Sequence, residues 1–346
     1  MTARIVLLPG DGVGPEVTEA ARRVLEAAAS PAGVALGFKA HLFGGAAIDA
    51  AGDPLPPATL DACLASDGVL LGAVGGPQWD GGAKRPEQGL LALRKALGAF
   101  ANLRPVRVLA GMEAYGPLRP EIARGADILI VRELTGGAYF GRREEGRERA
   151  SDEIAYTRDE VERVARIAFE AARARRGAVL SVDKANVLAT SRLWRAAVAN
   201  LREAEYPDVA LSHGLVDSVA MRVVLAPASF DVILTENMFG DILSDEASVI
   251  AGSIGLSPSA SIGGRVGLYE PIHGSAPDIA GKDRANPAGA ILSAAMLARF
   301  SLRDENLARM IERAVEATLA GGVRTSDLGG RTGCSAFAAE VCARLF

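Results

Sequence analysis

Short aliphatic and β-branched runs alternate with longer stretches of helical periodicity along almost the whole chain, and this alternation most constrains its fold. Runs at residues 4–8, 68–71, 128–131, 179–182 and 232–234 have the length and composition of buried strands. Helical patterns occupy residues 86–100, 159–176, 192–203, 216–225, 241–250, 288–298 and 305–320. Strands joined through helices of that length cross over and pair mainly in parallel, which predicts an α/β architecture. The chain has 346 residues, more than the about 250–300 at which a single core stops growing, so two domains are expected. Composition by itself marks no boundary between them.

The charge pattern removes several classes of function. The formal net charge is −4, with acids and bases interspersed and no basic stripe to follow a phosphate backbone. Residues 142–149 are densely charged but mixed in sign, which predicts a solvated loop or ribbon. The longest apolar stretch, residues 288–298, falls short of the roughly 20 residues of a membrane span. Four apolar residues, Ile5 to Leu8, are too few for the core of a signal peptide. Cys63, Cys334 and Cys342 form no CxxC pair and cannot all be bridged, so a reduced, cytoplasmic setting is expected.

The strongest local signal is the segment Asn237 to Asp245. Asn237 and Gly240 suggest a turn, with a helix starting at Asp241. Asp241 and Asp245 then project from one face, and two like charges at that spacing weaken a helix by a few tenths of a kcal/mol unless something positive lies near. A hard divalent cation with oxygen ligands, Mg²⁺ or Mn²⁺, suits the pair. The spacing alone also fits Asp241 as a helix cap with Asp245 exposed.

Helix 86–100 carries Leu90, Leu91 and Arg94 on a shared face. Arg104 follows the helix, and Arg132 ends the run 128–131. A guanidinium matches a carboxylate with a two-pronged fork. Three such residues suggest a polyanionic small substrate, and the leucines suggest an alkyl group on it. Singly, each arginine also fits a surface salt bridge.

Glycines 136, 137 and 141 leave Tyr139 uncrowded, and Lys184 lies just past an apolar run. To act as a base near neutral pH, a lysine needs about 4 kcal/mol of environmental bias. A packed tyrosine and a salt-bridged lysine fit the local sequence as well. The Gly- and Pro-broken segment His273, Gly274, Ser275, Ala276, Pro277, Asp278, Ile279, with Asn286 beyond it, reads as a ligand cradle. Asp278 is the residue type that bonds a ribose 2′-hydroxyl and repels a 2′-phosphate, favouring NAD over NADP. Gly10, Gly12 and Gly14 do not have the dinucleotide-binding spacing. His41 and His213 show no ligand spacing and read as structural.

Together these segments resemble the isocitrate/isopropylmalate family of β-decarboxylating dehydrogenases, from the Leu8–Gly12 turn to the Arg324–Gly330 tail. The two leucines in 87–94 place the resemblance in the isopropylmalate branch; isocitrate relatives carry a hydroxyl residue there. The resemblance implies a two-domain α/β fold with mostly parallel sheets, not a Rossmann fold, and an interdomain cleft. Residues 1–99 plus 252–346 would form the cofactor-side domain, and 100–251 the substrate, metal and dimerisation domain. The implied reaction is NAD-dependent oxidative decarboxylation of 3-isopropylmalate to 4-methyl-2-oxopentanoate and CO₂, in leucine biosynthesis. Tartrate, another alkylmalate or homoisocitrate is the alternative substrate within the family, and a non-catalytic regulatory subunit or a metal-dependent hydrolase the alternative outside that reaction.

By the same resemblance, Tyr139 and Lys184 would be catalytic, with Lys184 taking the hydroxyl proton and Tyr139 protonating the carbon that loses CO₂. Leu90, Leu91, Arg94, Arg104, Arg132 and Asp217 would bind substrate, and Asp217, Asp241 and Asp245 would hold Mg²⁺ or Mn²⁺. Asp217 and Lys184 would serve the partner's site in a homodimer. Gly75, Gly76 and Glu87 would line the nicotinamide side of NAD, and His273 to Ile279 with Asn286 the adenosine side. NADP-using relatives carry a Lys-Tyr pair in place of Asp278-Ile279. The chain departs from the family at Glu236, where glycine is usual, at the small Ala138 before Tyr139, in a short loop 78–85, and at 333–335.

Overall fold

All five apolar runs become strands, each longer than its core of aliphatic residues: β1 (Ala3–Gly10), β3 (Gly68–Ala73), β5 (Asp127–Glu133), β8 (Ala178–Asp183) and β10 (Val232–Thr235). The computed structural model describes residues 2–109 and 111–346. Five further strands carry weaker signals: β2 (Leu36–Ala40), β4 (Ala101–Arg107), β9 (Ala210–Leu215), β11 (Pro258–Ile262) and β12 (Leu268–Pro271). β4 reads poorly because it contains Asn102, Arg104 and Pro105, and β9 because it is a polar strand paired on one side only. Residues 142–149 fall in the ribbon predicted from their charges, where β6 (Arg143–Glu144) pairs with β7 (Ser151–Asp152) in full exposure.

The chain separates into two compact units. One comprises Met1–Ala99, Ala110–Tyr115 and Gly252–Phe346; the other comprises Phe100–Leu109 and Gly116–Ala251. In the first, the strand order is β2-β1-β3-β12-β11, parallel except for the β11–β12 hairpin. Val6 and Leu8 of β1 point to one face and meet Phe43, Leu71, Leu93, Leu97 and Leu268 there. Helices Gly14–Ala29 and Ala288–Phe300 also pack on these strands. Ala288–Phe300 is apolar nearly all round because it lies between strands on one side and helices Gly14–Ala29 and Glu305–Ala320 on the other.

In the second unit the order is β4-β5-β10-β8-β9, parallel except for β4 against β5. Helix Arg158–Arg173 packs on β5, β8 and β10, and helix Asn237–Ile250 on β4, β5 and β10. The buried group around Ile128, Ile130, Val182, Ile233, Leu243 and Ala247 is its core. The α/β class with mostly parallel pairing is therefore met in both units.

Several helix boundaries differ from expectation: the helix expected over 159–176 ends at Arg173 and that over 192–203 begins at Ala189, and two differences bear on the site. The helix expected over 86–100 ends at Leu97, because Gly98 takes the left-handed conformation (φ 66°) that terminates a helix. The helix expected from Asp241 begins four residues earlier, at Asn237. Glu236 is its cap, accepting from Phe239 N at 2.7 Å and Met238 N at 3.2 Å. Asn237 and Gly240 are thus inside the helix rather than in a turn, and Asp241 is not a cap.

Candidate active site

Two antiparallel strands set the arginines of the second unit. Asn102 and Arg104 share one face of β4, and the register places Arg132 of β5 opposite Asn102. Arg132 is 2% exposed and Arg104 7%, so each guanidinium needs partners within the protein. Arg104 donates to Asn102 Oδ1 at 2.7 Å, to Ser244 Oγ at 2.7 Å and to Asp245 Oδ1 at 2.9 Å, and lies 3.3 Å from Asp241. Arg132 donates through Nε and Nη2 to Asn237 Oδ1, at 3.1 and 2.8 Å, and through Nη1 to Asp241. The Tyr139 hydroxyl donates to Asp241 Oδ2 at 2.9 Å, and the Arg132 guanidinium lies 5.7 Å from the Tyr139 ring centre.

Helix Asn237–Ile250 supplies Asp241, Ser244 and Asp245 at spacings that share a face. Arg104 reaches both aspartates, so the positive charge their spacing requires is built into the protein. Burial pushes the Asp245 carboxyl up, an effect that Arg104 opposes. Burial, then the Asp241 charge, pushes the Tyr139 phenol up, which keeps its proton on. The turn before Tyr139 is tied down by Glu133, whose fully buried carboxylate accepts from Thr135 N and Oγ1 and from Gly136 N at 2.7–2.8 Å. Asn102, Asn237 and Ser244 pin the arginines, a role the sequence did not suggest for them. A polar residue two positions from Arg104 on a strand was the available signal for Asn102.

Lys184 and Asp217, in the same unit, meet each other. Lys184 Nζ is 2.5 Å from Asp217 Oδ2, with Asp217 largely exposed. The Lys184 hydrogen bond holds the Asp217 carboxyl below its usual range. Lys184 is partly buried, as its place after β8 suggests, but against a carboxylate rather than an apolar wall. Its backbone N donates to Ser191 Oγ at 3.0 Å, while neighbouring Asp183 accepts from Ala185 N at 2.8 Å and is gripped by Arg195 at 2.8 and 2.9 Å. Among the described residues, Asp217, Asp241 and Asp245 do not form a three-carboxylate cluster within one chain. The group that does approach within 4.8 Å is Glu16, Asp283 and Cys334, where Asp283 already holds Ser335 N and Oγ.

In the first unit, Leu90 and Leu91 are half-buried on helix Pro86–Leu97, and Leu90 leans on the cluster around Val6 and Leu8. Arg94 is buried and pairs with Glu270 of β12 at 2.8 Å, while its Nε has no protein partner. The exposed Glu87 reaches Gly75, where an added Cβ would sit 2.6 Å from Glu87 Oε1 and φ is 102°. Gly75 N donates to the buried Asp11 at 2.8 Å, which also accepts from Gly45 N and Ala46 N. Gly76 follows at the start of a short turn.

The turn 10–14 packs against the 273–279 segment, with Val13 N donating to Ser275 O at 2.8 Å. His273 Nδ1 faces Gly274 O at 2.9 Å, and its buried Nε2 has no protein partner. Burial holds the His273 ring below the usual histidine range, so it is neutral near pH 7. Ser275 is buried; Gly274, Pro277 and Asp278 are exposed, and Ile279 is half-buried. Ala276, before Pro277, has φ 39°, a conformation costing a non-glycine residue about 1–2 kcal/mol. Asn286 is buried, bonding Asp327 at 2.9 Å and accepting from Ala288 N at 3.0 Å. Asp327 is a further residue that sequence reading passed over.

These groups fit the chemistry expected of them. Asp241 and Asp245 offer hard oxygen donors suited to Mg²⁺ or Mn²⁺. The orphaned Nε2 of His273, in a segment with a strained backbone at Ala276, suits a hydrogen-bonding ligand such as a nucleotide.

Known proteins resemble the chain over its whole length. The 3-isopropylmalate dehydrogenase of Anaeromyxobacter dehalogenans is 58% identical, with all of both chains covered. That of Gloeobacter violaceus is 54% identical over 98% of this chain and 97% of its own. Among solved structures, isocitrate dehydrogenase from Methylococcus capsulatus matches with a TM-score of 0.89 at 37% identity, covering 99% of each chain. A β-decarboxylating dehydrogenase from Thermococcus kodakarensis matches at 0.83 and 38%, covering 99% of this chain and 96% of that one. A family description for isocitrate/isopropylmalate dehydrogenases matches residues 4–341, and the chain belongs to that family.

Proposed function

We propose that this chain catalyses the NAD-dependent oxidative decarboxylation of 3-isopropylmalate to 4-methyl-2-oxopentanoate and CO₂. The observation that carries the reading is the pair Leu90–Leu91 one turn ahead of Arg94 on a single helix, in a chain whose relatives at 53–58% identity are named for that substrate. The leucines offer an apolar surface for the isopropyl group, and Arg94 a guanidinium with an unused Nε for a carboxylate. A further carboxylate in place of the alkyl group, as in homoisocitrate, would have no partner at Leu90.

Arg104 and Arg132 bind the substrate carboxylates alongside Arg94. Two arginines and two aspartates sum to no charge at this cluster, so a divalent cation entering with a dicarboxylate substrate preserves the balance. Asp241 and Asp245 hold Mg²⁺ or Mn²⁺ together with Asp217 of a second copy. Gly75, Gly76 and Glu87 line the nicotinamide end of NAD, and His273 to Ile279 with Asn286 the adenosine end. When bound, NAD supplies the hydride acceptor and the cation supplies positive charge where negative charge develops as CO₂ leaves.

The chain's own groups handle the protons. Lys184 of the second copy takes the proton of the substrate hydroxyl, directly or through water. The Tyr139 phenol, kept protonated by burial and by Asp241, donates to the carbon that has lost CO₂. Exposed Met221 and Leu225 on helix Val216–Leu225 and Ile242 and Val249 on helix Asn237–Ile250 form an apolar surface on two packed helices. A second copy of the chain covers it, giving a homodimer with shared sites. Among the described residues no helix is long and apolar enough to cross a membrane.

The test is NADH production on a panel of 2-hydroxy diacids, with and without chelator. 3-Isopropylmalate is expected to give the highest kcat/KM, abolished by chelator and restored by Mg²⁺ or Mn²⁺. A preference for tartrate, malate or homoisocitrate would replace this substrate by another in the family.

A further inference from the structure

One buried group stands behind the arginine–aspartate cluster without touching any proposed ligand. Tyr156 is buried with its ring edge-on to Trp194, at 5.6 Å between centres and 75° between planes. Its hydroxyl donates to Glu236 Oε2 at 3.1 Å and accepts from Asn237 N at 3.1 Å. Glu236 is 8% exposed, and its two oxygens accept from Phe239 N, Met238 N and Tyr156. Asn237 is 1% exposed and spends its side chain on two tasks. Its Oδ1 receives both Nε and Nη2 of Arg132, and its Nδ2 donates to Gly136 O at 3.1 Å in the turn leading to Tyr139. Arg132 Nη1 and Tyr139 OH then converge on the two oxygens of Asp241.

We propose that Tyr156 and Glu236 are positioning residues that, through Asn237, set the Arg132 guanidinium and Tyr139 against Asp241. The proposal rests on the function proposed above for its kinetic test, though not for its structural one. Three features carry it. Asn237 is bonded to both the Arg132 fork and the turn before Tyr139. Its amide is one of the first in helix Asn237–Ile250, where no intrahelical acceptor exists, so without Tyr156 it would be buried and unbonded. The carboxylate of Glu236 fixes the same first turn and orients the Tyr156 hydroxyl, which leaves that hydroxyl's lone pairs to Asn237. Glycine at 236 would provide neither contact. A side chain placed by this many bonds holds its geometry before substrate arrives, as precise alignment demands.

The experiment compares the full-length protein with Tyr156→Phe, Glu236→Gln, Arg132→Lys and the Tyr156→Phe/Arg132→Lys double variant. Tyr156→Phe keeps the ring and removes only the hydroxyl. It is expected to lower kcat/KM for 3-isopropylmalate by about tenfold or more while leaving the KM for NAD unchanged. In the double variant it should cost almost nothing beyond Arg132→Lys, because both changes disable the same element. Glu236→Gln, which retains one carbonyl acceptor, is expected to fall between the parent and Tyr156→Phe. A crystal structure of Tyr156→Phe should show the Arg132 fork displaced from Asn237 Oδ1.

Folded Tyr156→Phe protein with kcat/KM within about twofold of the parent, or fully additive losses in the double variant, would overturn the proposal. So would a lowered melting temperature with unchanged kinetic constants per folded molecule, which marks a purely structural role. If the parent itself fails to turn over 3-isopropylmalate, the proposed function fails instead. The crystallographic position of the fork still decides the positioning role in that case, and an unmoved fork refutes it.

Discussion

Lys184 and Asp217, 33 residues apart in sequence, form an ion pair at 2.5 Å within one chain. We propose that a second copy of the chain supplies both residues to a substrate held by Arg104, Arg132 and Tyr139. Lys184→Ala is expected to cut kcat by orders of magnitude with little change in NAD affinity. Mixing it with Tyr139→Phe chains provides the sharper check. Heterodimers regain one intact site of two, so random reassortment should restore about a quarter of the parental activity. No recovery after verified subunit exchange would place Lys184 and Tyr139 in the same chain's site.

The leucine surface on helix Pro86–Leu97 should set selectivity. Replacing half-buried Leu90 by Ser removes an alkyl contact and adds a hydroxyl. Discrimination of 3-isopropylmalate over malate is expected to fall by about 10- to 200-fold, the range for one alkyl group in an apolar pocket. Competition assays with both substrates measure it directly. An unchanged ratio would detach Leu90 from specificity.

Gly75 combines a backbone conformation that L side chains avoid with a Cβ position 2.6 Å from Glu87 Oε1. Gly75→Ala should force Glu87 away and strain the turn by about 1–3 kcal/mol. The expected signature is a raised KM for NAD with the KM for the hydroxy acid little altered. Nucleotide binding by calorimetry and thermal melting separate the two effects, and wild-type NAD affinity would dissociate this turn from the cofactor.

His213 is half-buried on β9, its Nδ1 unbonded, and burial together with Arg195 holds the ring below the usual histidine range. The unfolded chain therefore takes up this proton at higher pH than the fold does. Stability from the neutral ring is fully present above the unfolded value of about 6.5, and is lost as pH falls through it toward the lower folded value. Buried Glu133 and Glu236, pushed up by burial, act in the opposite direction as they gain protons. His213→Asn isolates the histidine contribution. Denaturant unfolding at pH 7.5 and 5.5 should show the parent losing more stability on acidification than the variant; parallel losses would show that His213 titrates normally in the fold.

Much of the site was legible because its residues sit where local chemistry leaves a mark. The carboxylates at 241 and 245, the paired leucines at 90 and 91, the glycines around Tyr139 and the broken loop at 273–279 each signal themselves by type and spacing. The boundary of the helix carrying Asp241 was not legible, because glutamate is an unusual cap and Asn237 with Gly240 mimics a turn. Strand β4 was hidden for a related reason: its arginine and asparagine are buried only because partners from β5 and helix Asn237–Ile250 arrive to satisfy them.

Periodicity and residue type thus determined the α/β class, the five most apolar strands and the longer helices, since those depend on which local faces are apolar. Tertiary structure decided which charges neutralise which. A guanidinium is buried only when carboxylates and amides from distant segments converge on it, so the bridging of Asp241 and Asp245 by Arg104 has no local signature. Nor does the route from Glu236 through Tyr156 and Asn237 to Arg132, because hydrogen bonds fix geometry by position in space and leave no period in the chain.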